Sequence, residues 1–201
     1  MASGEPASMI GDVAAGIDIS EVHRFTLDEY HQLIDSGGFD EDMRVELIDG
    51  LIVEMSPKSP EHENAVRWLL RQFARSIDWD RYDLGVSSAL TLERSEPEPG
   101  LIVIPLDAPR PYHPSTALLV IEVSVSSLRR DLVRKHELYA RAGVPEYWVV
   151  DIDGRRTVVH RGARDGAYEQ VSEVRGGGAL TSDVLPGVEL SVDELFAAVG
   201  V

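Results

Sequence analysis

Glu122 stands in the middle of Ala117-Leu-Leu-Val-Ile-Glu-Val-Ser-Val125. A run so apolar and β-branched reads as a central strand covered on both faces. A carboxylate there is costly unless a metal, a lysine or hydrogen-bond donors pair with it. Thirteen residues later, Lys135 lies on the same helical stripe as Leu128, Leu132, Tyr139 and Ala142. A strand glutamate and a helix lysine aimed at one point suit phosphodiester hydrolysis assisted by a divalent metal. Carboxylates hold Mg²⁺ or Mn²⁺, and a cation serves the attacking water or the developing phosphorane charge. The same spacing also suits a buried ion pair without chemistry.

Other residues can join this pair. Asp131 precedes Lys135 by four positions, so it can pair with it along the helix and orient it. Glu46 sits between Val45 and Leu47, and alternation places it on the face opposite both. On its own that is a solvent-facing glutamate. His62 falls in the first turn of a helix between Glu61 and Glu63 and reads alone as a surface histidine. His113 and His160 have no neighbours that suggest ligation. There is no H-E-x-x-H, Gly-rich phosphate loop or nucleophile elbow.

The elements that must position these residues are legible. Thr26-Leu-Asp-Glu29 has capping-box spacing and opens a helix ending near Gly37. Asp49-Gly50 joins two apolar runs, 44–48 and 51–55, as a hairpin. Ser59-Pro60 starts a longer helix with the stripe Val66, Leu69, Leu70, Phe73 and Ile77. Strands are expected at 84–92 and 101–104, and a Pro-rich loop leads into the Glu122 strand. Ser126-Ser127 caps the Lys135 helix, and Gly143 and Pro145 end it. Further strands are expected at 147–150, 157–160 and 168–174. A last helix follows Gly176-Gly-Gly178, capped by Ser191 with Glu194 three residues on. The order implies one mixed α/β domain around a central sheet, over residues 22–201.

The chain has 201 residues and no cysteine, which excludes disulfides and thiolate metal sites. Residues 1–21 are small, polar and unlike a signal peptide, and read as a disordered tail on a cytoplasmic protein. No apolar run reaches the roughly 20 residues of a membrane span. Net charge is −16, from 19 basic and 35 acidic residues, which opposes broad attraction to nucleic acid or an anionic membrane. Two local basic clusters remain, one over 129–141 and one formed by Arg155, Arg156, Arg161 and Arg164. Their plain reading is solvated helix and hairpin faces.

Several stretches together resemble a known family. They are Glu46-Leu-Ile-Asp-Gly50, Met55-Ser-Pro57 with His62, and Glu96-Pro-Glu-Pro99. Glu122-Val-Ser124, Ser126-Ser-Leu128, Asp131, Lys135 and Tyr139 follow, then Ala142-Gly-Val-Pro-Glu-Tyr-Trp-Val-Val-Asp151. The pattern is similar to the bacterial restriction-endonuclease-like proteins, a branch of the PD-(D/E)XK nuclease superfamily, from about Phe25 to Phe196. The resemblance implies a restriction-endonuclease-like α/β core, a DNA substrate, Mg²⁺ or Mn²⁺ and a homodimer, with Tyr147-Trp148 either interface or core. It implies that Glu122 and the carbonyl of Val123 are metal ligands. Lys135, moved from strand to helix, stabilises charge or positions water. Glu46 matches an N-terminal acidic residue, with Asp131, His62 and Tyr139 in support. One position departs from the pattern: Gly100 follows Pro99 where the metal-binding aspartate belongs. Glu98, two residues back, is the candidate substitute, and Asp107 falls past the strand end. The expectation is therefore an endonuclease impaired at its metal, or an inactive nuclease fold retained for binding or assembly.

Overall fold

A computed structural model describes residues 22–40 and 42–200. The tail expected over residues 1–21 lies outside these. Helix α1 (Leu27–Asp35) begins at Thr26, whose side chain and that of Glu29 cap each other's backbone reciprocally. Strands β1 (Val45–Ile48) and β2 (Leu51–Glu54) form a separate antiparallel hairpin. Asp49 and Gly50 both take positive φ, 49° and 77°, as the tightest hairpin turn requires. Helix α2 (Pro60–Ser76) starts under the Ser59 cap.

The central sheet runs β3-β4-β5-β6-β7-β8. Its strands are β3 (Tyr82–Val86), β4 (Leu101–Pro105), β5 (Leu119–Ser124), β6 (Glu146–Asp151), β7 (Arg156–Arg164) and β8 (Ala167–Val174). Only β5 and β6 pair in parallel, so the sheet is mixed. Every residue of β5 and β6 is buried, as their unbroken apolar runs require. One face packs on α2 and on α5 (Val192–Val199), through Leu69, Phe73, Ile121, Trp148 and Phe196. The other packs on the segment after β5, through Val120, Leu138, Tyr139, Tyr147 and Val149. Alternation along β5 puts Glu122 on this second face.

That segment corrects the sequence reading of one continuous helix. It comprises α3 (Leu128–Arg130), a π-helical turn (Asp131–Lys135) and α4 (His136–Arg141). The His136 N–H reaches back five residues to the Asp131 carbonyl, which also accepts from the Tyr147 hydroxyl at 3.0 Å. Nor does Ser127 cap α3; its hydroxyl serves a side chain described below.

One strand expectation changes, one strand pair is added, and one open alternative is resolved. The strand expected at 84–92 is β3, which ends at Val86 because Ser87 turns to φ 47°. Leu90 and Leu92 are still buried, in an irregular segment. A small antiparallel pair, β9 (Ala179–Thr181) and β10 (Glu189–Ser191), was not foreseen. Tyr147 and Trp148 are fully buried core and cannot build an interface. Among the described residues no helix is long and apolar enough to cross a membrane.

Candidate active site

Two strands bring their carboxylates to one lysine. Lys135, at the end of the π turn, is 3% exposed. Its Nζ donates to Glu122 Oε1 at 2.8 Å and lies 2.9 Å from Glu46 Oε2. The Tyr139 hydroxyl donates to the same Glu122 oxygen at 2.9 Å. Lys135 and Tyr139 are four residues apart, so both meet Glu122 from one side. Glu46 is buried because β1 is tied to the segment before β4. Leu47 and Glu96 exchange backbone hydrogen bonds, and the Glu98 N–H donates to Glu46 Oε2 at 3.3 Å. Strand alternation located its side, but only this docking explains its burial.

The electrostatics are crowded. Burial raises the Glu122 carboxyl to about 7; Lys135 pulls it down, while Asp131 and Glu46 push it further up. Burial also disfavours the Lys135 ammonium, but Glu122, Glu46 and Asp131 outweigh it and hold its pKa above the ordinary value. Several atoms stay unsatisfied: Glu46 Oε1, Asp131 Oδ1 and Arg130 Nε are buried without a hydrogen-bond partner. Arg130 Nε stands 3.8 Å from Glu46 Oε1.

Asp131 does not pair directly with Lys135 as the helix spacing suggested. Its Oδ2 accepts from Ser124 at 2.6 Å and Ser127 at 2.5 Å, which pins the π turn to the end of β5. Its charge still reaches Lys135 through space. His62 faces the same cleft rather than open solvent. Burial lowers its pKa, Lys58 and Arg44 add to that, and its Nδ1 has no partner. Val123 lines the cleft beside Glu122. His160 is buried and makes its ring contact to the Tyr147 carbonyl at 3.2 Å, away from this cleft.

The donor set does not fit a divalent metal. Glu122 Oε1 is occupied by Lys135 and Tyr139, and Gly100 offers no side-chain oxygen. Glu98 also lines the cleft, but its Oε1 is held by Arg44 at 2.6 Å and Lys58 at 3.4 Å. Four carboxylates, Glu46, Glu98, Glu122 and Asp131, thus face four cations, Arg44, Lys58, Arg130 and Lys135. Among the described residues no group of three or more His, Asp or Glu side chains is arranged to hold a metal ion. Mg²⁺ needs anionic oxygens free to turn towards it. At position 100 a Cβ would meet the Ile121 carbonyl and a Val66 methyl at 3.3 Å, so both neighbours must give by a few tenths of an ångström for any side chain there. Sequence reasoning missed Arg44, Lys58 and Arg130; nothing in their spacing marks them as cleft residues.

With this geometry in place, comparisons with known proteins agree on the fold. Residues 27–193 match the model of the Uma2 family, described as "Putative restriction endonuclease". The crystal structure of a protein from Anabaena variabilis ATCC 29413, described as a putative nuclease, superposes with a TM-score of 0.70. It is 16% identical, and the match covers 87% of this chain and 99% of that one. No curated protein sequence matches.

Proposed function

The chain belongs to the Uma2 family, described as "Putative restriction endonuclease", and from that premise we propose that its cleft is a DNA phosphodiester-hydrolysis centre impaired at its metal. The observation that carries this reading is the Lys135 ammonium clasped by Glu122 and Glu46 in a cleft that Gly100 also lines, with no side chain where the family resemblance implies a carboxylate. Lys135 faces the charge that develops on a phosphate in transfer. Glu46 and Tyr139 fix the geometry of that pair, and Asp131 with its two serines holds the turn that presents the lysine. Glu122 and the Val123 carbonyl would be the ligands of such a metal, and Glu98 could supply a further one only by leaving Arg44 and Lys58. The Arg44–Glu98–Lys58 clamp favours a second reading, in which the fold is retained for binding alone. The proposed setting is the cytoplasm.

The test is nicking of supercoiled plasmid with Mg²⁺ and with Mn²⁺, comparing the native protein with Gly100→Asp. The native chain is expected to nick slowly or not at all. Gly100→Asp should gain at least tenfold, and adding Glu122→Ala should remove the gain. Native nicking as fast as that of Gly100→Asp would refute the impairment. No nicking by any form would refute the nuclease reading and leave binding.

A further inference from the structure

A groove beside the cleft is lined by Ser56, Ser126, Arg129, Arg130, Val133 and Arg134, and shares Ser56, Ser126 and Arg130 with the cleft itself. Arg129 and Arg134 are exposed, and neither makes an ion pair or hydrogen bond among the described residues. Arg110, Arg141, Arg164 and Arg175 have acidic partners; the exposed Arg71, Arg75, Arg94 and Arg155 have none, but none of those four lines the cleft or this groove. Arg130 anchors the lip by donating to the Glu54 carbonyl at 3.3 Å. The Ser126 hydroxyl donates to Ser56 at 3.1 Å and so bridges the two walls. On a chain of net charge −16, uncompensated guanidinium groups along one wall mark a place where an anion is wanted.

We infer that Arg129 and Arg134, with Arg130 and the Ser56 and Ser126 hydroxyls, form a phosphodiester-backbone subsite that holds a nucleic acid strand beside the cleft without any metal. The occupant is committed by chemistry. Guanidinium forks and hydroxyls bind phosphate oxygens well, and Val133, half exposed, offers the sugar an apolar contact. The subsite rests on the nuclease reading for its biological sense, but its binding is independent of position 100.

The experiment is fluorescence anisotropy of a labelled 20-base-pair DNA duplex with the full chain in EDTA, across a salt series. The native protein should bind at low salt. Arg129→Ala with Arg134→Ala should weaken binding at least tenfold and flatten the slope of log K against log salt by about 1.8. The matched control is Arg71→Ala with Arg75→Ala on the exposed face of α2, expected to change affinity less than twofold. Lysine at both 129 and 134 should keep affinity within about threefold. No binding by the native chain in EDTA, or an equal loss in the α2 control, would overturn the inference. Binding that follows this pattern while Gly100→Asp still fails to nick would sink the proposed function and leave the subsite standing.

Discussion

Two buried glutamates on adjacent strands have opposite fates. Glu146 opens β6 and Glu122 lies near the end of β5, on opposite faces of the sheet. Glu146 is fully satisfied. It accepts from Trp148 Nε1 at 2.9 Å, the Ser182 hydroxyl at 2.6 Å and the Asp183 N–H at 3.1 Å, and the Arg161 guanidinium lies 3.2 Å away, its Nε forming no hydrogen bond of its own. Glu122 shares one lysine with Glu46, feels Asp131, and has unsatisfied buried atoms around it. A fully hydrogen-bonded carboxylate fastens the β9–β10 region to the sheet; the buried carboxylates with unpartnered oxygens, Glu46 and Asp131, sit where a cleft opens. A buried carboxylate alone therefore does not mark a site. A buried carboxylate left with unused hydrogen-bonding capacity does.

The largest effect should come from removing the shared cation. Lys135→Met strands two buried carboxylates and should cost about 3–5 kcal/mol in urea unfolding. A loss under 1 kcal/mol would mean the carboxylates are already neutral or hydrated.

The next prediction opposes the two glutamates. The Glu122 carboxyl is raised from 4.5 to about 7, so its contribution is complete below about 4.5 and is lost as pH rises through about 7. Glu122→Gln should therefore match or exceed native stability at pH 8, by up to about 3 kcal/mol, because Glu46 still serves Lys135. Glu146→Gln should instead lose about 1–3 kcal/mol, since one of its acceptor oxygens becomes a donor facing donors. Equal signs for the two substitutions would erase the distinction.

Smaller effects refine it. His160 is buried beside Tyr147 and its pKa falls to about 4, chiefly through burial. A depressed histidine keeps its stabilising contribution above about 6.5 and loses it as pH falls towards 4, at up to about 1.4 kcal/mol per pH unit. The difference in unfolding free energy between native and His160→Phe should shrink in the native's disfavour over that window and stay flat above it. Tyr139→Phe removes one hydrogen bond to Glu122 and should cost about 1 kcal/mol, with the Lys135 contact intact.

Much of this was legible in the residues. Glu122 on a doubly buried strand, Lys135 on the next helical segment, the Asp49-Gly50 turn and the caps at Thr26, Ser59 and Ser191 all follow from local patterns. What escaped depends on tertiary packing. A four-residue strand tells which side Glu46 takes, not that the segment around Glu96 will cover it. The π turn inserts one residue without spoiling the helical stripe, so Asp131 seemed aimed at Lys135 when Ser124 and Ser127 hold it. Arg44 and Lys58 enter the cleft only because their segments meet Glu98 across 54 and 40 residues of sequence. The β9–β10 pair has strands of only three residues, joined by residues 182–188, so the turn at Pro186-Gly187 does not by itself announce a hairpin.

The central claim is that the cleft is a nuclease centre whose metal affinity was lost with one carboxylate. Mn²⁺ titration followed by electron paramagnetic resonance tests it directly, on the native chain, Gly100→Asp, and Gly100→Asp with Glu122→Gln. The account predicts no stoichiometric binding by the native protein, one Mn²⁺ per chain in Gly100→Asp, and its loss when Glu122 is also changed. Tight, Glu122-dependent Mn²⁺ binding by the native chain would contradict it.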